Sequence, residues 1–172
     1  MQFDRDDFEL FGLPRRFALD RAELDASRRA LQAEVHPDRF AASDAAVRRV
    51  AMQWAVRVNE AHERLGNPLK RATYLCELQG TPIAAEDNTA MPAEFLMQQM
   101  AWREKLDDAR SAAEVQAVAG EVDGQRRSAY ARLGQALDDA HDFGQAAQEV
   151  RALMFVERFA ADVDERLHRL ET

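Results

Sequence analysis

Pro37 separates two stretches of helical periodicity and forces the chain to turn between them. A proline ring fixes its own φ at about −65° and disfavours the α region for the residue before it, so a helix that reaches Val35 must stop there. Asp20 and Glu23 form a capping-box-like start for that helix. Beyond the proline, Ser43 is predicted to cap another helix, whose apolar residues recur with the 4-3 spacing of an antiparallel neighbour: Val47, Ala51, Trp54, Val58, Ala61 and Leu65. The sequence therefore predicts a helical hairpin whose connecting loop displays an imidazole and a carboxylate.

The composition favours helices throughout the chain. Among 172 residues there are only 7 Gly and 5 Pro, and the chain is rich in Ala, Leu, Glu and Arg, which favours an all-α protein. Short helices are predicted at about residues 6–11 and from Pro68 to a stop at Gly80. We therefore expect an N-terminal unit over residues 1–79, in which two short helices accompany the hairpin, followed by a linker over residues 80–91.

Three further helices are predicted after the linker. Pro92 opens the first, a capping box of Ser111 and Glu114 opens the second, and Asp142 caps the third. Two glycines inside the middle helix cost about 1 kcal/mol each relative to Ala, so the helix could break there. Because the connections are short, residues 92–172 are predicted to form a C-terminal antiparallel three-helix bundle.

Charge is distributed unequally along the chain. Residues 1–79 carry equal numbers of basic and acidic side chains, so residues 80–172 account for the whole net charge of −8. This asymmetry predicts two units with different partners and argues against nucleic acid as the ligand of the second.

The cysteine content, the apolar runs and the N-terminus indicate the cellular compartment. The single cysteine, Cys76, excludes an intramolecular disulfide and a cysteine metal cage, and it predicts a reducing cytosol. No apolar run approaches the length of about 20 residues that a membrane span needs. The N-terminus lacks the basic start and apolar core of a signal peptide. We expect a soluble cytoplasmic protein with no metal site, no cofactor and no membrane partner.

An acid–base pair is one possible role for His36 and Asp38 in the loop. Such a pair would need a nucleophile, a metal cluster or a pocket, and the sequence supplies none of them. The other histidines (His62, His141 and His168) lie singly in predicted helices. We therefore predict a protein that is not an enzyme, with a partner-binding loop as the favoured interpretation and a chance tripeptide as the alternative.

The order and spacing of three short motifs resemble those of a J-domain. They are Leu10-Phe11-Gly12-Leu13-Pro14, His36-Pro37-Asp38-Arg39-Phe40 and Val58-Asn59-Glu60-Ala61-His62-Glu63-Arg64-Leu65. The resemblance covers residues 1–79 and implies docking on a DnaK-type heat-shock chaperone and stimulation of its ATPase, with His36-Pro37-Asp38 as the essential contact. In this reading, Asp38 offers a carboxylate for bidentate pairing with an arginine, and Pro37 keeps it presented at little entropic cost.

Basic side chains next to the tripeptide are further candidates for the chaperone contact. The basic residues of the preceding helix, Arg21, Arg28 and Arg29, are predicted to steer the chain onto an acidic chaperone surface, and Arg28, Arg29 and Arg39 are predicted chaperone contacts. The alternative interpretation for each of these arginines is that it belongs to a solvated, charged helix face without a partner-binding role. Two departures from the common J-domain pattern are Val35 in the place of an aromatic residue and Arg39 in the place of a lysine.

The first bundle helix carries an apolar patch on the side that should be polar. On a helical wheel of about 100° per residue, Phe95, Trp102, Leu106 and Ala109 form the inward stripe. The opposite side and its flanks hold Leu96, Met97, Met100 and Ala101 with a rim of Glu104 and Asp108, and Phe155 of the last helix lies about 100° off its own inward stripe. These residues form either a packing surface for the N-terminal unit or a protein-binding face.

The segment from Phe95 to Asp107 resembles the scaffold-binding helix of the HscB family of J-type co-chaperones. Length, domain order and the acidic bundle also agree, and no cysteine-rich N-terminal extension is present, as in bacterial members. The resemblance implies a J-domain that recruits the specialised chaperone HscA and a bundle that binds the iron–sulfur scaffold IscU. The matching scaffold-binding positions are Leu96, Met97, Met100, Ala101, Glu104, Asp108 and Phe155, with Ala101 standing where an acidic residue is often found.

Two other interpretations stay open. A general J-domain co-chaperone would bind unfolded clients through its second domain, whereas the HscB interpretation predicts selective binding of one folded protein. A purely structural helical adaptor would leave a chaperone's ATPase unaffected.

Overall fold

The computed structural model describes residues 5–40, 42–83 and 91–171. These residues form helices, turns and loops without a strand, so the predicted all-α fold class is confirmed. The chain divides into two compact units, Met1–Leu75 and Cys76–Thr172. Most of the predicted linker, residues 84–90, lies outside the described part of the chain.

The described residues of the N-terminal unit form four α-helices and one 3₁₀ turn, and the fourth helix continues three residues past Leu75, where the unit ends. They are α1 (Asp7–Phe11), α2 (Arg21–Val35), the 3₁₀ turn (Pro37–Phe40), α3 (Ala45–Gly66) and α4 (Pro68–Leu78). The α1 helix ends at Gly12, whose φ of 67° is the left-handed conformation that glycine tolerates best. As predicted, Asp20 caps α2 by accepting a hydrogen bond from the Ala22 amide.

The predicted cap of α3 was wrong by one residue. Asp44 is the N-cap, and its Oδ1 accepts the Val47 amide at 2.8 Å, whereas Ser43 precedes the cap. Both residue types are good N-caps, so their propensities do not distinguish them. The carboxylate adds a favourable interaction with the positive end of the helix dipole, which the serine hydroxyl lacks.

The α2 and α3 helices lie antiparallel around an apolar core. Leu24 of α2 and Val58 and Leu65 of α3 are fully buried, and Phe8 of α1 packs there with its ring stacked 6.0 Å from Tyr74. One carboxylate, Asp7, is also fully buried, where Arg57 and Arg64 pair with it. Pairing from two guanidinium groups offsets the cost of burying this charge.

A partly buried imidazole–carboxylate pair joins the two long helices of the hairpin. Nε2 of His62 on α3 lies 2.7 Å from Oδ1 of Asp25 on α2. Arg21 extends the connection, because its Nε lies 3.3 Å from Asp25 and its Nη1 donates to the Gly66 carbonyl. The hydrogen bond from His62, aided by the charge of Arg21, lowers the pKa of Asp25 below its ordinary value.

We expect this pair to make the unfolding of the N-terminal unit pH-dependent in acid. Because the pKa of Asp25 is lower in the folded than in the unfolded chain, its stabilisation is present above the unfolded pKa of about 3.9 and is lost as the pH falls through the folded value. Asp25→Asn should therefore flatten the decline in unfolding free energy below about pH 5, measured by denaturant titration with circular dichroism. Glu23→Gln, which removes an exposed carboxylate from the same helix, should keep the wild-type slope. An unchanged slope in Asp25→Asn would contradict the assignment.

The C-terminal unit contains three long helices, each antiparallel to the one before it. They are α5 (Ala93–Asp108), α6 (Ala112–Gly134) and α7 (Phe143–Glu171). The predicted capping box of Ser111 and Glu114 is present, and Asp142 accepts the Gln145 amide at the start of α7.

The possible break at Gly120 and Gly124 does not occur, because α6 runs through both positions. The valines that flank them (Val115, Val118 and Val122) are buried in the bundle core, so packing outweighs the local cost of the glycines. Instead, the irregularity lies at the end of α6, where Gln135–Asp139 form a π-helical turn. His141 follows with a φ of 53°, uncommon for a non-glycine residue, and its Nδ1 lies 3.0 Å from the Leu137 carbonyl.

The bundle core confirms the inward stripe of α5. Trp102 is 2% exposed and its ring stacks on Phe159 of α7 at 5.8 Å, and Leu106 and Ala109 are also buried. Phe95 is an exception, because it is only half-buried at the first turn of α5. Within the described residues, no helix is both long and apolar enough to cross a membrane.

Candidate functional site

The His36-Pro37-Asp38 loop begins where α2 ends, as the sequence predicts. His36 is the C-terminal cap of α2, with φ −58° and ψ 127°, and Pro37 starts the 3₁₀ turn. Nδ1 of His36 accepts a hydrogen bond from the Asp38 amide at 3.3 Å. The Asp38 side chain is 89% exposed, with its nearer oxygen 3.6 Å from that ring nitrogen. The imidazole therefore holds the backbone of the turn, and the carboxylate is left accessible to a partner.

The arginines around this loop have three different environments. Arg39 turns back toward α2 and donates from Nη1 to the Ala33 carbonyl at 2.9 Å, so it helps to satisfy the helix C-terminus. Arg28 is half-buried and reaches Oδ1 of Asn59 on α3, whereas Arg29 is exposed. Of the three predicted contact residues, Arg29 therefore best fits the alternative interpretation of a solvated charged face.

Asn59 has a structural role that the sequence reasoning missed. Its Oδ1 accepts from Nε2 of Gln32 at 3.0 Å and from Nη2 of Arg28 at 3.4 Å. The side chain thereby joins α3 to the face of α2 that carries the predicted basic contacts. A polar residue beside buried Val58 was the only sequence signal for this role, and such a signal is common on helix surfaces.

The patch predicted on α5 is exposed. The exposed fractions are 47% for Leu96, 66% for Met97, 72% for Met100 and 44% for Phe155. Glu104 and Asp108 are exposed on the same helix, and Ala101 is half-buried. We call these seven residues the α5 face. Apolar side chains occupy its N-terminal half and carboxylates its C-terminal half.

Phe95 brings Phe155 of α7 next to α5. The two rings meet edge to face with their centroids 6.5 Å apart, a favourable aromatic geometry. Sequence reasoning placed Phe95 in the core alone, whereas the structure also makes it the support of an exposed aromatic ring. Because this contact joins residues sixty positions apart, the periodicity of either helix gave no signal for it.

The titratable groups of the described residues do not form a metal-binding cluster. No group of three or more histidine, cysteine or acidic side chains among them could hold a metal ion. Cys76 is buried, and burial raises the pKa of its thiol to about 11, so it is protonated at neutral pH. The described surfaces present the exposed carboxylate of Asp38 and the exposed apolar side chains of the α5 face.

Comparison with known proteins identifies the family. Residues 91–164 match the family model described as the HSCB C-terminal oligomerisation domain. A protein of Burkholderia thailandensis named "Co-chaperone protein HscB homolog" is 54% identical over 167 residues, 95% of each chain.

Solved structures agree with this relationship. The chaperone HscB from Vibrio cholerae is 35% identical, with a TM-score of 0.84 over 96% of this chain and 99% of that one. The human co-chaperone protein HscB is 26% identical, with a TM-score of 0.91 over 96% of this chain and 84% of that one. The arrangement of a J-domain followed by a helical bundle, predicted from the motifs, is shared with these structures. The chain belongs to the HscB family of co-chaperones.

Proposed function

We propose that this protein is a J-type co-chaperone of iron–sulfur cluster assembly. In this proposal it binds the IscU-type scaffold protein through the α5 face and delivers it to an HscA-type chaperone. It then stimulates the ATPase of that chaperone through the His36-Pro37-Asp38 loop. The proposal assigns the ATP and the cluster to the partners, gives this chain no catalytic residue, metal or cofactor, and places it in the cytoplasm.

The exposed carboxylate of Asp38 is the observation that carries the proposal. A carboxylate at the tip of a turn, with its backbone held by His36, is presented for a bidentate pair with an arginine of the chaperone. Pre-organisation lowers the entropic cost of that contact. Arg28 and Arg29 lie on α2 and Arg39 directly follows the tripeptide, and all three are proposed to add electrostatic steering.

The α5 face supports the scaffold-binding part of the proposal. Exposed Leu, Met and Phe side chains at its N-terminal half offer a surface of adaptable apolar groups. The carboxylates of Glu104 and Asp108 at the other half can set the register of a docked partner. This division of the helix fits a folded protein with one complementary surface better than a variety of unfolded segments.

Selective client binding distinguishes this function from that of a general co-chaperone. We expect the full chain to bind the folded IscU-type scaffold and to bind denatured model proteins at least about tenfold more weakly, as measured by calorimetry or biolayer interferometry. The ATPase of the HscA-type chaperone should rise with the chain alone and rise further when the scaffold is added. Equal binding of denatured proteins would favour a general J-domain co-chaperone, and an unaffected ATPase would indicate a structural adaptor.

A further inference from the structure

Two methionines dominate the exposed area of the α5 face. Met97 and Met100 are 66% and 72% exposed, more than any other large apolar side chain described in the chain. Met154 of the same unit is 39% exposed and lies about 100° around α7 from Phe155. Met52, on α3 of the other unit, is 61% exposed and provides an internal comparison.

Exposed thioethers react with peroxides, and the product has a different polarity. The sulfur of methionine takes one oxygen atom from hydrogen peroxide: the O–O bond breaks, an S–O bond forms, and water leaves. The sulfur loses two electrons, which the peroxide gains. The sulfoxide is a polar, chiral group that disrupts Met-rich interfaces, and methionine sulfoxide reductases reverse its formation.

On the α5 face, a sulfoxide would oppose docking directly. Leu96 lies one helical turn before Met100, so a partner that covers the apolar half of the face must desolvate both positions. A buried sulfoxide oxygen needs a hydrogen-bond donor to offset that cost. Glu104 lies one turn further on, and an ionised carboxylate accepts hydrogen bonds and donates none, so it offers the sulfoxide oxygen no donor.

We propose that Met97 and Met100 form a reversible oxidation site that switches scaffold docking off. Peroxide converts both residues to sulfoxides and weakens binding of the IscU-type scaffold, while the N-terminal unit keeps its ability to stimulate the chaperone. This inference rests on the proposed function, since it assigns a regulation to the same face.

Mapping and binding measurements on the full chain test the inference. After mild treatment with hydrogen peroxide, peptide mass mapping should find one added oxygen at Met97 and Met100 before Met154, following their exposure. The oxidised protein should bind the scaffold at least about tenfold more weakly, with unchanged circular dichroism and unchanged ATPase stimulation in the absence of scaffold. Treatment with methionine sulfoxide reductases should restore binding.

Leucine variants provide the matched control. Because leucine is close to methionine in volume and does not oxidise, Met97→Leu combined with Met100→Leu should bind the scaffold with the same affinity before and after peroxide treatment. Met52→Leu should remain as sensitive as wild type. The inference is overturned if Met154 oxidises first, if oxidised wild type binds normally, or if the double leucine variant loses binding on oxidation. Failure of the untreated wild type to bind the scaffold would instead refute the proposed function, and this inference with it.

Discussion

Replacing Asp38 by alanine is expected to abolish stimulation of the chaperone's ATPase. The carboxylate is 89% exposed, and it lies 3.6 Å from Nδ1 of His36 within the same loop. Truncating one partner of an interfacial charge pair costs about 2–5 kcal/mol, which corresponds to at least about thirtyfold weaker productive contact. At concentrations that saturate the wild-type effect, the variant should therefore leave the ATPase near its basal rate.

The measurement is steady-state ATP hydrolysis by the HscA-type chaperone against increasing co-chaperone. Glu34→Ala is a matched control, because it removes another exposed carboxylate close to the end of α2 and should retain stimulation. Scaffold binding by Asp38→Ala should equal that of wild type, and its circular dichroism should be unchanged. Full stimulation by Asp38→Ala would refute the role assigned to the loop.

Replacing Leu96, Met100 and Phe155 together by alanine is expected to remove most scaffold binding while leaving the bundle folded. All three side chains are exposed, and the core beneath them, with Trp102 and Leu106, stays intact. If docking buries these groups, their combined loss amounts to about 3 kcal/mol or more, or at least about a hundredfold in Kd. Calorimetric titration of the scaffold into the full chain measures the change.

Two comparisons separate a docking face from a packing surface. Met52→Ala combined with Val56→Ala removes exposed apolar side chains from α3 and should not change scaffold binding. Trp102→Ala removes a buried ring and should destabilise the bundle by about 3–5 kcal/mol, with a lowered melting temperature. If the triple variant at the α5 face melts like Trp102→Ala, the face belongs to the fold rather than to a binding site.

Local signals predicted most helix boundaries because they act within a few residues. Gly12, Pro37 and Pro68 set helix starts and ends through their own backbone geometry, which does not depend on distant contacts. Ser111 with Glu114 is likewise a self-contained capping box. The same locality explains the error at α3, where adjacent Ser43 and Asp44 were both plausible caps and only their orientation at the helix start decides between them.

Non-local contacts produced the features that the sequence did not predict. Packing in the bundle core carries α6 through Gly120 and Gly124, although helix propensity allows a break. The chain reversal before α7 uses a π-helical turn and a left-handed His141, for which the residue pattern gave no sign. The uninterrupted α6 and the turn before α7 both depend on how neighbouring helices pack, and helix propensity does not describe packing.

The sequence by itself determined the all-helical architecture, the position of the loop and the apolar character of the outward side of α5. Periodicity and backbone geometry act along one helix, so they can be seen in the order of residues. Only the tertiary structure decided that the Asp38 backbone is held by His36, that Asn59 joins α3 to Arg28, and that Phe95 supports Phe155. The contacts of Asn59 and Phe95 form only because side chains of different helices lie close together in the fold. The contact of His36 depends on the turn that the chain adopts after Pro37. The tripeptide marked the loop, but the fold determined which of its groups is exposed.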